Sequence, residues 1–436
     1  MPAMLLLLLS CTPSPEKEPA TIPDLPRSLC GGEDYAWLDH AQTGQVLDVE
    51  AAPEWSLSRE SIAGLAGLVG LQDSSRITSG ATVYRLRYQT QDRGQPVEAT
   101  MILALPDTPA ADLPSLLYLH PTTGFEDFCA PSGRDITWAG IPVGLAGMGY
   151  AVAAPDYLGQ NGFGEEATDR HPYLVAEATA VASLDSLRAL WSYAEKDLGL
   201  TVSRKTLLLG ASQGGAGVLW SSRYAAEYLP EAQLVGAVAS VPALDLVAMA
   251  QQAKEELSVA SVGMPLTLVS MKDWYTLPVD VEDMLAPEMV SRVEETMAGD
   301  CPSAEIPEDI RSLDQIYSAA WIDGFSADTR ADWDPWSCML EESSAGYRTE
   351  PANSTVPTLV ILGGADDVSL VEAHRPAVTR LCTEGAQIRT VECTGLGHTD
   401  TVKATFDLQL SWLSDRLAGT ALPTMCDAVQ VQSCGE

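Results

Sequence analysis

The chain has 436 residues, which suits a large α/β domain with an insertion or two separate domains. Apolar residues make up 46% of it and charged residues 19%, a balance that excludes disordered, collagen-like and coiled-coil proteins. The formal net charge of −35 opposes binding to nucleic acids and to anionic bilayers, because both carry dense negative charge. We therefore expect no nucleic-acid partner.

The N-terminus begins with an apolar run, Leu5–Leu9, that is far shorter than the roughly 20 residues a membrane span needs. It continues into Ser10-Cys11, and Leu8-Leu9-Ser10-Cys11 resembles a bacterial lipobox. We expect a lipid anchor on Cys11 to be the protein's sole membrane contact, and the protein to be exported to the bacterial cell envelope or secreted. A plain cleaved signal and a cytosolic chain remain alternatives, because Met1–Met4 lacks the usual Lys or Arg.

Cysteine usage supports export. Of nine cysteines, eight remain once Cys11 is assigned to the anchor, and an even number suits disulfides. No C-x-x-C pair or Cys/His cluster with zinc spacing occurs, so we expect no bound metal. Eight cysteines can pair in many ways, and neighbours along the chain are the simplest guess: Cys301–Cys338, Cys382–Cys393 and Cys426–Cys434.

From about residue 80, short apolar runs alternate with helical stretches, which is typical of a parallel α/β sheet. A hairpin is predicted by Thr82–Tyr88 and Val97–Leu105 around a Gln91-Asp92-Arg93-Gly94 turn. Strands buried on both faces are predicted at Ser115–His120, Tyr150–Pro155, Lys205–Gly210, Val235–Ser240, Pro357–Leu362 and Gln387–Glu392. The predicted helices are Leu174–Tyr193, Gln213–Tyr228, Val371–Thr383 and Thr401–Leu417.

The alternation breaks between about Pro242 and Pro351, where a helical but less regular pattern predicts an insertion. Four tryptophans lie in this stretch, at positions 274, 321, 333 and 336. They form either the insertion's own core or, in part, an apolar groove for a substrate. The predicted organisation is a signal peptide at residues 1–11, a proline-rich linker at 12–29, an α/β core at 30–241 and 352–436, and a helical lid at 242–351.

The strongest chemical motif is Gly210-Ala211-Ser212-Gln213-Gly214, a G-x-S-x-G pentapeptide. It follows the apolar strand Thr206–Leu209 and opens a helical pattern, the strand–turn–helix context of a nucleophile elbow. Glycines are needed there because the serine occupies a strained turn, where flanking side chains would clash. We predict that Ser212 is a catalytic nucleophile. The alternative is a glycine-rich turn with an incidental serine.

A serine nucleophile needs a base that is oriented by a carboxylate. In this strand–turn–helix context the partners follow in the order Ser, Asp, His, which leaves His374 and His398 as candidates. His374 falls within a predicted helix and is expected at the surface, whereas His398 lies on a loop after a strand, so His398 is the predicted base. For the acid we favour Asp366, because Gly-x-x-Asp is the common spacing after this strand, with Asp367 as the alternative.

The oxyanion of an acyl-transfer reaction needs two backbone N–H donors. Gln213, which follows the nucleophile, is expected to supply one. The second should come from the loop His120-Pro121-Thr122-Thr123-Gly124, where Pro121 has no N–H. We predict Thr122 as the second donor, with Thr123 as its alternative, and His120 as a residue that orients the loop.

With these residues in place, the chain resembles the secretory lipase family of α/β-hydrolases, although family members usually have Gly where this chain has Pro121. The stretches that carry the resemblance are residues 120–124 with 129–132, 149–157 with 171–175, and 210–215. The resemblance implies an α/β-hydrolase fold, with a mostly parallel sheet, helices on both faces and a mainly helical lid. It also implies hydrolysis of small-molecule or lipid carboxylic esters through Ser212, His398 and Asp366, without a cofactor.

Two other functions remain open. A serine exopeptidase of the same fold would share the triad and add an acidic pair for the substrate amine, but no pair of acids in the insertion is singled out by its context. A catalytically inactive binding lipoprotein would keep the fold without turnover.

Overall fold

A computed structural model describes residues 30, 35–299, 301, 305–345, 347 and 354–435. The predicted signal peptide at residues 1–11 and the linker at 12–29 lie outside the described residues. Across the part of the chain that is described, no helix has the length and apolar character needed to cross a bilayer.

Ten strands of the described residues form one sheet. They are β1 (Val46–Ala51), β2 (Ala81–Asp92), β3 (Gln95–Pro106), β4 (Leu113–Leu119), β5 (Ala151–Pro155), β6 (Val202–Ala211), β7 (Gln233–Ser240), β8 (Thr358–Gly363), β9 (Ile388–Cys393) and β10 (Gln430–Gln432). Their spatial order is β1-β2-β3-β5-β4-β6-β7-β8-β9-β10. The pairs β1/β2, β2/β3 and β3/β5 are antiparallel, and every other neighbouring pair is parallel, which confirms the predicted mostly parallel sheet.

Helices cover both faces of the sheet. They are α1 (Arg59–Leu65), α2 (Ile136–Gly147), α3 (Ala176–Lys196), α4 (Gln213–Tyr228), α5 (Leu246–Ala253), α6 (Val259–Tyr275), α7 (Pro287–Gly299), α8 (Ala319–Gly324), α9 (Trp336–Glu342), α10 (Val371–Thr383), α11 (His398–Ala404) and α12 (Phe406–Leu417). Successive residues of a strand point to opposite faces, and β6 shows this directly. Leu208 packs in the apolar cluster that contains α3 and α4, whereas Leu207 and Leu209 pack in the cluster that contains α1, α2 and α12.

The sequence predicted the central elements closely and the peripheral ones poorly. α4 and α10 have the predicted bounds, and the β2–β3 hairpin turns at the predicted residues. The helix predicted at Thr401–Leu417 is in fact two helices, α11 and α12, and the first of them begins at His398. The elements β1, β10, α1 and α2 were not predicted.

Between β7 and β8, the described residues form the five helices α5–α9 and contribute no strand to the sheet. Trp321 is fully buried, its ring stacked on Phe325 at 4.0 Å and meeting Trp333 edge-on at 5.0 Å between ring centroids. Trp336 is also buried. Trp321 and Trp336 are therefore core residues, and the half-buried Trp333 packs against Trp321, so these side chains pack against protein as the first alternative predicts.

The three predicted disulfides are wrong. The structure pairs Cys30 with Cys338, Cys129 with Cys301, Cys382 with Cys426, and Cys393 with Cys434. The guess failed because it used proximity in sequence, whereas the first two bridges span 308 and 172 residues. Those two connect the insertion to the rest of the chain, and the other two fasten the C-terminal tail to α10 and β9.

We expect protein that lacks residues 1–11 and is made in an oxidising compartment to contain no free thiol, because all eight remaining cysteines are paired. Titration of the denatured, unreduced protein with a thiol reagent checks this. The same sample after reduction is the control and should release the full set of thiols. Several free thiols before reduction would contradict the pairing.

Candidate active site

Ser212 occupies a sharp turn between β6 and α4. Its backbone has φ 56° and ψ −118°, a conformation that non-glycine residues adopt only at a cost in free energy. Its N–H donates to the carbonyl oxygen of Ser240 at 2.9 Å, which ties the turn to the end of β7. This is the backbone geometry of a nucleophile elbow, in which the serine stands at the carboxyl edge of the sheet.

The glycines of the pentapeptide are explained by close backbone contacts. A Cβ atom on Gly210 would lie 2.3 Å from the carbonyl oxygen of Gly214. A Cβ atom on Gly214 would lie 2.0 Å from the carbonyl oxygen of Leu119, at the end of β4. No side chain fits at either position, so the G-x-S-x-G spacing follows from the packing of α4 against β4 and β6.

His398 and Asp366 form a hydrogen-bonded pair. Nδ1 of His398 lies 2.7 Å from Oδ2 of Asp366, and the other carboxylate oxygen accepts from the N–H groups of Val368 at 2.9 Å and Ser369 at 2.8 Å. Asp366 is buried, whereas the side chain of Asp367 is exposed. The bond to Asp366 places the proton on Nδ1, which leaves Nε2 of His398 able to accept a proton.

Ser212, Asp366 and His398 follow β6, β8 and β9, so all three stand at the carboxyl edge of the parallel sheet. The structure brings Asp366 and His398 into direct contact. Among the hydrogen bonds of the described residues, none joins the Ser212 hydroxyl to His398. This contact is often long in unliganded serine hydrolases and shortens when a substrate binds.

His374 is fully buried, which corrects the expectation of a surface residue. Its Nε2 lies 2.7 Å from the hydroxyl of Ser369, and that hydroxyl donates its one proton to the carbonyl oxygen of Pro242 at 2.9 Å. His374 must therefore donate from Nε2, and burial lowers its pKa to about 4, so the ring is neutral. The N–H of Ser369 donates to Asp366, and the hydroxyl of Ser369 accepts from His374. His374 therefore helps to hold the loop that contains Asp366.

Of the two predicted oxyanion donors, Gln213 lies at the start of a helix and Thr122 lies in a loop. Gln213 is the first residue of α4, and its side-chain nitrogen Nε2 lies 2.7 Å from Nε2 of His171. Thr122 follows β4, and its hydroxyl lies 2.8 Å from the hydroxyl of Tyr173. Neither contact was predicted from the sequence, in which residues 171–175 contribute only to the family resemblance.

His120 is buried within the loop that contains Thr122. Its Nδ1 lies 2.7 Å from the carbonyl oxygen of Pro121, and its own carbonyl oxygen accepts from the Tyr157 hydroxyl at 2.9 Å. Burial lowers the pKa of His120 to about 4. The histidine is thus neutral and bound within its own loop, the arrangement expected of a residue that orients that loop.

A cavity of about 680 Å³ lies between the β2–β3 hairpin, residues 158–172 and α6. Its lining is rich in acidic residues and includes two arginines, Arg93 and Arg170. None of Ser212, Asp366 and His398 lines it. This cavity is therefore separate from the acid–base pair.

Residues 141–275 match the model of the secretory lipase family. The chain is 32% identical over 112 residues to Lipase 7 of Candida albicans, a match that covers 26% of this chain and 24% of that protein. It is 30% identical over 107 residues to the probable dipeptidyl-peptidase 5 of Aspergillus terreus, a match that covers 24% of this chain and 14% of that protein. The chain thus spans a quarter or less of the length of these curated relatives.

Solved structures match most of the chain. The ligand-bound rice cell wall degrading esterase LipA of Xanthomonas oryzae has a TM-score of 0.68 at 20% identity, covering 87% of this chain and 100% of that one. Candida antarctica lipase A in its closed state has a TM-score of 0.67 at 17% identity, covering 91% and 90% of the two chains. The chain therefore has an α/β-hydrolase fold, and its residues 141–275 resemble the secretory lipase family.

Proposed function

We propose that the protein is a serine carboxylic-ester hydrolase, a lipase or esterase. The observation that carries this proposal is the 2.7 Å bond between His398 and Asp366 at the sheet edge where Ser212 occupies a strained elbow. The match of residues 141–275 to the secretory lipase family supports an ester as the substrate. Four disulfides among the described residues support export.

In the proposed mechanism, Oγ of Ser212 attacks the ester carbonyl carbon while Nε2 of His398 takes the hydroxyl proton. Asp366 holds the imidazole in the required tautomer and stabilises the imidazolium. The backbone N–H groups of Gln213 and Thr122 bind the oxyanion. Collapse of the tetrahedral intermediate expels the alcohol with the proton from His398, and water then hydrolyses the acyl-enzyme by the same steps.

The insertion, residues 242–351, is proposed to act as a lid over this edge of the sheet. Closing an active site with protein removes water and strengthens the electrostatic interactions inside it. A lipid anchor on Cys11 would keep the enzyme at a membrane surface, and this also remains a proposal.

A serine exopeptidase is the second candidate, and the short match to a dipeptidyl-peptidase favours it. Both activities use the same acyl-enzyme chemistry. They differ in the leaving group and in the need for carboxylates that bind a free substrate amine.

The test combines labelling with two substrate series. A fluorophosphonate probe should label Ser212, and p-nitrophenyl esters from acetate to palmitate should be hydrolysed much faster than aminoacyl p-nitroanilides. Enzyme already blocked by the probe is the control and should hydrolyse neither series. Anilide hydrolysis without ester hydrolysis would replace the proposal with the exopeptidase, and absence of both labelling and turnover would reject hydrolysis.

A further inference from the structure

One short segment, His171–Tyr173, contacts both residues that are proposed to bind the oxyanion. The His171 ring contacts the side chain of Gln213 at 2.7 Å, and the Tyr173 hydroxyl contacts that of Thr122 at 2.8 Å. These contacts connect the loop after β4 and the start of α4 through a third stretch of chain that precedes α3. Because the side chains of Gln213 and Thr122 are held in this way, the backbone N–H groups of the same two residues have less freedom to move.

The tautomer of His171 follows from its surroundings. Its Nδ1 lies 2.8 Å from the carbonyl oxygen of Leu158, which can only accept, so Nδ1 carries the proton. The residue is buried, and burial lowers its pKa to about 3, so the ring is neutral. Its Nε2 therefore has a free lone pair and accepts a hydrogen bond from the side-chain amide of Gln213. The amide orientation of Gln213 is fixed by this bond.

Tyr173 is held on two sides. Its ring packs edge-on against Phe125 at 5.3 Å between centroids, and burial raises the pKa of its hydroxyl, which stays protonated. The hydroxyl shares a hydrogen bond with that of Thr122. Because Pro121 cannot donate a backbone hydrogen bond, the path of the chain at Thr122 depends on contacts of this kind.

The insertion takes part in the same arrangement through Ser270 of α6. The backbone N–H of Tyr173 donates to the Ser270 hydroxyl at 2.7 Å, and that hydroxyl donates to the carbonyl oxygen of His171 at 2.8 Å. Ser270 is buried, so no water competes for these bonds. The segment that contacts both oxyanion residues is thus hydrogen-bonded to the insertion.

We propose that His171 and Tyr173 are positioning residues for the two oxyanion donors, and that Ser270 makes the insertion part of this scaffold. The inference rests on the proposed function, because the donors matter only if a tetrahedral oxyanion forms. It gives the insertion an effect on the rate of the chemical step, in addition to shelter from water.

Tyr173→Phe is the most selective test, since it removes one hydroxyl and keeps the ring. We expect kcat for p-nitrophenyl acetate to fall about tenfold and KM to stay within about twofold of wild type. Removal of an entire oxyanion donor lowers kcat by about 10²–10³-fold, and displacement of a donor should lower kcat by less. The inhibition constant of a phenylboronic acid, which forms a tetrahedral adduct on the serine, should rise by a similar factor. If Tyr173 were purely structural, the substitution would lower the melting temperature and leave the affinity for the boronic acid unchanged.

Tyr317→Phe is the matched control. Tyr317 is buried in the insertion and donates its hydroxyl proton to the carbonyl oxygen of Ser261 at 2.8 Å. The variant therefore loses one buried tyrosine hydrogen bond that involves neither Thr122 nor Gln213. It should lose thermal stability and keep both kcat and boronate affinity. Equal kcat and boronate affinity in Tyr173→Phe and Tyr317→Phe would overturn the proposal.

Two further variants test the other contacts. His171→Gln can still offer an oxygen acceptor to Gln213, so it should retain more kcat and boronate affinity than His171→Phe, which cannot. Ser270→Ala should lower kcat and weaken boronate binding together. Equal kcat and boronate affinity in the two His171 variants would count against the proposal. So would a Ser270→Ala variant that changes only the melting temperature. If wild type neither reacts with the fluorophosphonate nor hydrolyses esters, the proposed function fails instead.

Discussion

Ser212→Ala should abolish ester hydrolysis and leave the fold intact. Alanine tolerates the positive φ of this turn about as poorly as serine does, so the backbone strain is nearly unchanged. Among the described residues no hydrogen bond involves the Ser212 hydroxyl, so its removal leaves no partner unsatisfied. Loss of a triad member costs on the order of 10⁶-fold in kcat in a related case, and we expect a similar loss here.

The measurement is kcat for a short p-nitrophenyl ester, together with the melting temperature. Ser221→Ala is the matched control, because Ser221 is a buried serine on α4 whose hydroxyl also has no hydrogen-bond partner within the described part of the chain. It should retain activity and stability. A Ser212→Ala enzyme with even a tenth of wild-type kcat would show that the nucleophile is a different residue.

The elbow could be predicted from sequence because its motif occupies one short stretch of chain between an apolar strand and a helical pattern. A side chain on Gly210 is excluded by the carbonyl oxygen of Gly214, four residues further on, whereas a side chain on Gly214 is excluded by the distant Leu119 of β4, so the motif reveals a contact that the sequence alone does not show. The central strands were predictable for a related reason. A strand buried on both faces contains a short run of apolar residues, which in β6 is Leu207–Leu209, and such a run bounded by turn residues is too short for a helix.

Long-range pairing could not be predicted in the same way. Cys30 and Cys338 are 308 residues apart, and nothing near either cysteine specifies the other. β10 has three exposed residues and pairs with β9 at the sheet edge, so it lacks the apolar pattern of a strand. The burial of His374 also depends on the distant Pro242, whose carbonyl oxygen orients the Ser369 hydroxyl.

The contacts of His171 and Tyr173 belong to the same category. The His171 contact joins residues 42 positions apart and the Tyr173 contact joins residues 51 positions apart. Neither can be predicted before the order of the strands is known. A histidine followed by proline and tyrosine before a helix carries no signal of its own for an oxyanion scaffold. The role emerges only when β4 and β6 are adjacent, which places their following loops against one segment.

Asp366→Asn should lower kcat by about 10⁴-fold, by analogy with the orienting acid of other serine triads. The structure gives the reason. One oxygen of Asp366 accepts from the N–H groups of Val368 and Ser369, and an asparagine would keep its oxygen there. Its NH₂ group would then face Nδ1 of His398. Two donors cannot bond, so the ring would move its proton to Nε2 and lose the ability to accept the proton of Ser212.

Asp367→Asn makes the same chemical change one residue further along and serves as the control. The side chain of Asp367 is exposed. Its backbone carbonyl oxygen accepts from the N–H of Ala260 in the insertion at 3.2 Å, a hydrogen bond that the substitution leaves unchanged. We expect less than about a tenfold loss in kcat, since only a nearby surface charge is removed. Steady-state kinetics of the two variants on one ester decides between the acids. If Asp367→Asn were the more damaging change, the hydrogen bond between Asp366 and His398 would be structural, and the orienting role would move to Asp367.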